Sequence, residues 1–326
     1  MAQAEYAAEI SVAEELPGRE RGLWSDAFRR LIRNRLAMLA LVVLAVIVVV
    51  TLAGNYVGAV QRYDPRAQDY SVLHEGPSTD HFFGTDGLGR DNWARVLQGT
   101  RISLEVGFGV QVFVLVMGLA VGGAAALGGR LLDNIMMRLT DIAYAFPDLL
   151  FIILLRSVFR NRDLPLVSDQ TADILLMMFA IGFVAWVTVA RLVRGQMLSL
   201  KERDFVLAAR AIGSPVWRIV FYHMLPNTLG PVIVAITFGI PLAIFAEAVL
   251  GFIGIGLQPP TASLGVLISD GYHFIHTNIW LVVFPTAMIA VLMLPFKDEP
   301  GMNGLPQPSR IIMRSSLAGN SERWRT

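Results

Sequence analysis

The chain reads Asp204-Phe-Val-Leu-Ala-Ala-Arg-Ala-Ile-Gly213-Ser-Pro-Val-Trp-Arg-Ile-Val-Phe-Tyr-His223-Met-Leu-Pro-Asn227 between two apolar runs that are each long enough to cross a membrane. Three alanines before Gly213 favour helix, and glycine is the residue type that ends helices in the left-handed conformation. Ser214 then offers an N-cap and Pro215 a first-turn residue for a second helix. The segment therefore predicts two short helices that meet in an elbow at Gly213.

Apolar side chains on this elbow are suited to fill a groove on a partner protein. They are Phe205, Ile212, Val216, Trp217 and Val220. Such a shape is better suited to docking than to catalysis.

Composition indicates a membrane protein. Of the 326 residues, 54% are hydrophobic and 16% are charged, and the mean hydropathy is +0.55. Runs of low charge occur at 36–60, 106–129, 142–155, 174–190, 224–246 and 279–294. A helix of about 20 apolar residues crosses the hydrocarbon, so these runs predict six spans. We extend the third run back towards Met136 and the fourth to about Leu192, because both are short.

The positions of lysine and arginine predict which loops face the cytoplasm. Basic residues cluster before the first span (Arg19, Arg21, Arg29, Arg30, Arg33 and Arg35) and around the elbow (Arg191, Arg194, Lys201, Arg203, Arg210 and Arg218). Both clusters, and with them the N-terminus, are expected in the cytoplasm. The loops at 61–101, 156–173 and 247–278 are then outside, although the first of them contains five arginines.

A second motif lies in the first outer loop, where the chain reads Phe83-Gly-Thr-Asp-Gly-Leu-Gly-Arg-Asp91. Its glycines (Gly84, Gly87 and Gly89) permit tight turns, and its charged residues (Asp86, Arg90 and Asp91) can pair locally. We interpret the motif as structural, fixing the loop against the second span, in preference to a substrate contact.

Both motifs resemble those of ABC importer permeases. The elbow resembles the family's EAA coupling loop, in which two alanines, a glycine and a Leu-Pro pair stand at fixed spacing, here Ala208, Ala209, Gly213, Leu225 and Pro226. Leu207 replaces the family's leading Glu, and His223 replaces an Ile. The outer residues Gly84, Thr85, Asp86, Gly89, Arg90 and Asp91 resemble the oligopeptide/dipeptide/nickel branch, second permease type. The resemblance covers about Trp24 to Leu292.

The resemblance implies an all-α membrane protein with the type I ABC importer permease fold, six transmembrane helices and a short cytoplasmic coupling helix pair. The coupling loop, 191–223, would contact an ATPase through Asp204, Phe205, Ala208, Ala209, Gly213, Trp217, His223, Leu225 and Pro226. Implied partners are a second permease, two cytoplasmic ATPases that bind ATP and Mg²⁺, and an extracytoplasmic solute-binding protein. The chain would be an inner-membrane transport subunit for peptides or a similar small solute, and not itself an enzyme.

Missing residue types limit the chemistry of this chain. It contains no cysteine, which excludes disulfides, thiolate metal sites and cysteine nucleophiles. Neither of its lysines, Lys201 and Lys297, stands in a phosphate-binding P-loop, so another subunit must handle ATP. We predict no cofactor or metal site. His273 and His276 are spaced to touch a cation, but a solvated or packed pair is the simpler interpretation. His223 is a fold or docking residue, or else a pH-sensitive contact.

Two other function classes fit the sequence less well. A proton- or ion-coupled secondary transporter needs internal repeats and mid-span acids, whereas Asp148 and Glu247 are expected near interfaces and in structural pairs. A membrane hydrolase needs a catalytic group of residues within the spans, and none recurs at helical spacing. The Gly-x-x-Gly-x-Gly run in 250–260 lacks a strand–helix unit, so Gly251, Gly254 and Gly256 predict close packing of helices or a re-entrant turn.

The ends of the chain are predicted to lie outside the six-helix domain, 36–294. Residues 1–23 predict a disordered cytoplasmic tail without a cleavable signal. Residues 24–35 predict a basic amphipathic helix on the membrane surface. Residues 295–326 begin with Pro-Phe-Lys-Asp-Glu-Pro, match nothing in the family and predict an irregular cytoplasmic tail.

Overall fold

The computed structural model describes residue 32 and residues 35–54, 57–58, 60–159 and 168–296. Apart from one isolated β-bridge, the regular elements in this part of the chain are helices. They are α1 (Arg35–Gly54), α2 (Asn92–Leu127), α3 (Gly129–Ala145), α4 (Asp148–Phe159), α5 (Asp169–Lys201), α6 (Asp204–Ala211), α7 (Val216–Ile219), α8 (Leu225–Phe252), α9 (Leu264–Tyr272) and α10 (Trp280–Met293). A π-helical turn, Val220–Met224, joins α7 to α8, and a 3₁₀ turn, Leu294–Phe296, follows α10. The all-α class is confirmed.

Three helical stretches of the described chain are long and apolar enough to cross a membrane. They are Asn92–Leu127, Gln170–Lys201 and Val216–Phe252, the last combining α7, the π-helical turn and α8. Helices α3 and α4 meet this condition only as a pair, bent by 86°. Met38–Gly54 and Trp280–Phe296 are apolar but shorter. Each apolar run predicted from the sequence overlaps one of these helical stretches. That the chain crosses the membrane six times stays a prediction.

The bend between α3 and α4 occurs at Pro147. Proline disfavours helix at the preceding residue, and Phe146 is extended, with φ −79° and ψ 134°. Beyond the bend, α4 is mainly apolar, whereas α3 carries acidic side chains that pair with α5. One of these pairs joins Asp133 to Arg194. A kink thus precedes Asp148, and it divides the predicted third span into two helices.

Helices α2 and α5 pack closely at the centre of the bundle. A Cβ added at Gly122 of α2 would overlap the carbonyl oxygen of Ala190 and lie 2.8 Å from the Cβ of Val193 on α5. Gly107, also on α2, gives similar room to Ile244 of α8. Small residues allow helix backbones to approach where no hydrophobic effect drives association. These glycines therefore determine how α5 and α8 pack on α2.

Several predicted loop boundaries were wrong. A helix whose ends carry charged residues is longer than its apolar run, so the run underestimates the length of the helix. Helix α2 begins at Asn92, so the first outer loop ends near Asp91 and does not extend to Arg101. The loop predicted at 247–278 begins with the last turns of α8 and contains all of α9. Residues 191–201 of the predicted coupling loop are the last turns of α5.

The predicted tails mostly lie outside the described residues. This holds for 1–23, for 297–326 and, apart from positions 32 and 35, for the basic helix at 24–35. Within the described part, α10 ends at Met293 and the chain continues as a 3₁₀ turn through Phe296.

Candidate functional site

The first half of the elbow between α5 and α8 is built as the sequence predicts. Helix α6 ends at Ala211, and Gly213 has φ +77°. The N–H of Gly213 donates to the carbonyl of Arg210 at 2.9 Å, and the N–H of Ser214 donates to that of Ala209 at 3.0 Å. This pair of hydrogen bonds is the Schellman motif, which satisfies the last carbonyls of a helix and reverses the chain.

The second helix of the elbow begins differently from the prediction. Pro215 is its N-cap, with extended φ −65° and ψ 144°, and no side chain caps it. We expected Ser214 as the N-cap, so this prediction was wrong by one residue. The N–H of Ser214 is still bonded to the first helix in the Schellman motif, and the second helix therefore begins one residue later. Helix α7 widens into the π-helical turn, where the N–H of Leu225 reaches the carbonyl of Val220.

One face of the elbow is buried on the bundle, and the other is exposed. Val206, Ala209, Ile219 and Met224 lie in the hydrophobic core. The exposed apolar and aromatic side chains are Phe205, Leu207, Ile212, Val216, Trp217, Phe221 and Tyr222, with Ile212 82% exposed. We call these seven residues the elbow surface.

The prediction of which elbow side chains are exposed was partly wrong. Val220 is buried in the core, while Phe221 and Tyr222 were missed. The π-helical turn Val220–Met224 has more residues per turn than an α-helix, so it rotates the face that follows Ile219. Of the other predicted contact residues, Asp204, Ala208, His223 and Pro226 are exposed, Leu225 is half-buried and Ala209 faces the bundle.

The outer motif forms a compact loop centred on Asp86. Its carboxylate accepts hydrogen bonds from the N–H groups of Leu88 and Arg90, both at 2.9 Å. It also accepts from Arg90 Nε at 2.7 Å and from Arg95 at 2.5 Å. The predicted local pairing is present. The structure adds Arg95, which lies on the first turn of α2 and ties the loop to that helix.

Asp91 attaches the same loop to the start of α2. One carboxylate oxygen accepts from the N–H of Ala94 at 2.8 Å and so caps the helix. The other oxygen lies 2.9 Å from Nδ1 of His81. Thr85, also in the motif, accepts a hydrogen bond from the N–H of Glu75 and donates to the carbonyl of Val72. The motif thus holds three segments of the outer loop together.

Two of the three motif glycines make the expected turns. Gly84 and Gly89 have φ +73° and +69°. A Cβ at Gly89 would overlap the backbone carbonyl of Asp69. The side-chain carboxylate of Asp69 accepts two hydrogen bonds from Ser71, and these lower its pKa. Gly87 instead gives room to the ring of His74, 3.1 Å from an added Cβ.

An ion pair that connects α2 to α9 was not predicted. Arg95 reaches Asp270 at 3.1 Å, and Arg90 lies 3.9 Å from the same carboxylate. Asp270 is half exposed, whereas Arg95 is buried. Since 175 positions separate the two residues, no local pattern indicates the pair.

The comparisons with known proteins agree with this geometry. Residues 115–297 match the family model described as binding-protein-dependent transport system inner membrane component. The chain belongs to this family of transport permeases. Residues 22–77 of the permease match the N-terminal transmembrane domain of oligopeptide transport permease C. The predicted relationship to the oligopeptide/dipeptide branch is confirmed, and the protein is a transport subunit rather than an enzyme or a secondary transporter.

Curated relatives resemble this permease over most of its length. The oligopeptide transport system permease protein OppC of Bacillus subtilis is 36% identical over 290 residues, which are 89% of this chain and 90% of that protein. The dipeptide transport system permease protein DppC of the same organism is 38% identical over 272 residues, or 83% and 81% of the two chains. Among solved structures, an inward-facing MetNI methionine ABC transporter matches with a TM-score of 0.48 and 20% identity over 62% of this chain and 91% of that chain.

The acidic residues noted in the permease sequence have different environments. Asp148 is exposed at the first residue of α4. Glu247 does not end α8, which continues to Phe252, and it is fully buried. Ser103 of α2 donates a hydrogen bond to Glu247 at 2.9 Å, consistent with the structural pairing that we expected.

The glycine-rich run at the end of α8 packs closely against α9, as predicted. A Cβ at Gly251 would lie 2.9 Å from the backbone nitrogen of Val266 on α9. The carbonyl of Gly256 accepts a hydrogen bond from Arg156 at 2.8 Å, and Arg156 also reaches Asp173 at 2.7 Å. This connection of α4, α5 and the run was not predicted, because its members are far apart in sequence.

His273 and His276 do not belong to a metal-binding cluster in the described residues. His273 contacts the ring of Tyr272, with centroids 6.3 Å apart. Across residues 35–54, 57–58, 60–159 and 168–296, no group of three or more potential metal ligands occurs.

Proposed function

We propose that this permease forms half of the translocation pathway of an ATP-driven importer of peptides or similar small solutes. The cargo class is suggested by the names of its relatives, which are oligopeptide and dipeptide transport permeases. The observation that carries the proposal is the elbow surface, an exposed set of aliphatic and aromatic side chains on a base buried in the bundle. An exposed apolar patch of this kind is typical of a protein–protein contact.

Motion of a docked partner would be transmitted through short connections. Helix α6 begins three residues after α5 ends, and α7 continues through the π-helical turn into α8. The connections from the elbow to both long helices are therefore short. An ATPase that closes on ATP would move the elbow, and α5 and α8 would carry that motion to the pathway wall. ATP and Mg²⁺ are assigned to the ATPases, which supply the free energy.

The proposed complex contains four kinds of subunit. Besides this chain, it needs a second permease for the other half of the pathway, two cytoplasmic ATPases on the elbows, and an extracytoplasmic solute-binding protein. We place the complex in the inner membrane with the N-terminus in the cytoplasm. Co-expression with candidate ABC ATPases and a candidate second permease tests this composition. Co-purification and peptide-stimulated ATP hydrolysis are expected, and a chain that purifies alone with full transport activity would contradict it.

The orientation can be tested with single cysteines, because the natural chain has none. Ser199, near the end of α5, is expected to face the cytoplasm, as is Asn34, while Ser78 in the first outer loop is expected outside. In intact cells, a membrane-impermeant maleimide should therefore label Ser78→Cys but not Ser199→Cys. Thr261, a further outer position, is buried and would report poorly, whereas Thr277 is exposed and serves in its place.

Permeabilised cells provide the control for this experiment, since both cysteines should then be labelled. Labelling of Ser199→Cys but not Ser78→Cys in intact cells would mean that the orientation is inverted. The elbow would then be unable to meet cytoplasmic ATPases.

A further inference from the structure

Asp148 stands at the break between α3 and α4, close to the middle of the bundle. Phe151, about one turn further along α4, stacks on Phe183 of α5 with ring centroids 4.7 Å apart. Phe183 lies near the centre of the uncharged stretch of α5 between Asp173 and Arg191. At 1.5 Å per residue, these two charges lie about 15 and 12 Å from Phe183, so the stretch matches hydrocarbon about 30 Å thick. Asp148 therefore lies near the middle of the bilayer.

The other end of α4 gives the same depth for Asp148. Arg156 pairs with Asp173 at 2.7 Å, which places that end of α4 at the outer edge of the uncharged stretch. Asp148 is separated from Arg156 by about 12 Å of helix. It thus lies roughly halfway between the two charged levels of α5.

The chain is exposed throughout the break. Every residue from Tyr144 to Leu150 is exposed, Asp148 included. Within the described ranges, the carboxylate of Asp148 has neither a hydrogen bond nor an ion pair. A charge at this depth is costly in lipid, and such side chains face a water-filled cavity or a protein partner.

The backbone at the break also requires polar surroundings. Phe146 is extended, and the first hydrogen bond of α4 runs from the N–H of Phe151 to the carbonyl of Pro147 at 3.1 Å. The N–H groups before Phe151 have no partner inside the helix. Non-helical backbone at membrane depth is tolerated only within protein or beside water. Lipid therefore does not cover this break.

Polar groups continue along α3 from the break towards the elbow end of the bundle. The guanidinium of Arg191 lies 5.0 Å from the ring centre of Tyr144 and pairs with Asp141 at 2.9 Å. Both members of this ion pair are more than 40% exposed. Nearer the end of α5, Asp133 pairs with Arg194. Exposed ion pairs cost little in water, whereas a dry contact must desolvate them, so this series of groups favours an aqueous path.

We propose that α3 and the break at Asp148 line the cytoplasmic half of the translocation pathway, and that the Asp148 carboxylate faces the passing peptide at mid-membrane. The inference rests on the proposed function and deepens it, because it identifies a wall of the pathway and a residue that acts on the cargo. An unpaired carboxylate attracts the ammonium groups of a peptide and repels its carboxylates. The pathway should therefore favour basic over acidic cargo of the same length.

Single cysteines test whether water reaches the break. The assembled complex in proteoliposomes would be treated on both sides with a small cationic methanethiosulfonate, and labelling of this chain would be followed by mass spectrometry. Asp148→Cys should be labelled about tenfold faster than Val46→Cys, because a thiol in apolar surroundings stays protonated. Val46 is the matched control, since it is 55% exposed in a groove between α1 and α10 that is lined by apolar side chains. Equal rates would mean that the break is dry, which overturns the inference.

Uptake of Ala-Lys-Ala and Ala-Glu-Ala by the same proteoliposomes tests whether Asp148 faces the cargo. Asp148→Asn should lower the ratio of their kcat/KM values about fivefold, the scale of a charge interaction that solvent screens, whereas Asp148→Glu should keep the ratio. The preference of the binding protein is the same for every variant and cancels from the comparison. Asp80→Asn, at an exposed position of the outer loop, removes the same charge and should leave the ratio unchanged. An unchanged ratio in Asp148→Asn would also overturn the inference.

Stability and total uptake separate this inference from other outcomes. Because Asp148 is exposed, Asp148→Asn should leave the thermal stability of the complex unchanged. Lower stability with the natural uptake ratio would mean that Asp148 pairs with the second permease, and the inference would be wrong. If the natural complex takes up no peptide of any length, the proposed function itself fails, whereas labelling of Asp148→Cys still reports whether the break is in water.

Discussion

Gly213→Val is expected to abolish peptide-stimulated ATP hydrolysis in the assembled complex while the permease is still inserted. Gly213 has φ +77°, a region in which a β-branched residue is strained by about 1–3 kcal/mol. Nothing lies within 4 Å of an added Cβ, so the whole effect acts through the backbone turn. Strain of that size shifts a conformational equilibrium by about 5- to 150-fold. The elbow should therefore leave the geometry in which its surface fits an ATPase.

Gly195→Val provides the matched control for the elbow. Gly195 lies within α5, where an added Cβ also meets nothing within 4 Å, but its φ is not positive. Its replacement should preserve stimulation, since valine is at least as compatible with a helix as glycine is. Stimulation would be measured as the ratio of ATP hydrolysis with and without loaded binding protein. Unchanged stimulation in Gly213→Val would contradict docking through this elbow.

The elbow was predictable because its determinants are local. A glycine that ends a helix, and a proline at the start of the next one, act within a few residues. The structure places the glycine where the sequence indicates, and it begins the second helix one residue later than predicted, with Pro215 as the N-cap. Pro147 likewise marks the bend between α3 and α4. The exposed face of α7 was less predictable. The π-helical turn after Ile219 changes the period, and nothing in the local sequence fixes that choice.

The connections between distant segments could not be predicted from one sequence. The ion pair between Arg95 and Asp270 can be recognised only when α2 and α9 are known to lie side by side. The same is true of Arg156, which joins α4 to Asp173 on α5. A charged residue near an apolar run has many potential partners, and only the packed helices select one.

Asp86→Ala is expected to destabilise the permease by about 3–5 kcal/mol, the usual effect of removing one partner from a buried ion pair. Asp86 is 5% exposed and accepts hydrogen bonds from Leu88, from two groups of Arg90 and from Arg95. Without it, the half-exposed Asp270 is the only charged partner that the buried Arg95 retains among the described residues. Loss of thermal stability would be measured on the detergent-solubilised complex. Asp86→Asn, which keeps an acceptor oxygen but loses the charge, should lie between Ala and the natural residue.

Asp141→Ala distinguishes a buried network from a surface ion pair in the same protein. Asp141 pairs with Arg191 at 2.9 Å, and both side chains are more than 40% exposed. Because solvent screens such a pair, its loss should cost at most about 1 kcal/mol. If Asp86→Ala were no less stable than Asp141→Ala, the outer motif would not be structural. A loss of peptide uptake in Asp86→Ala at normal stability would then favour the alternative, in which the motif contacts the substrate or the binding protein that delivers it.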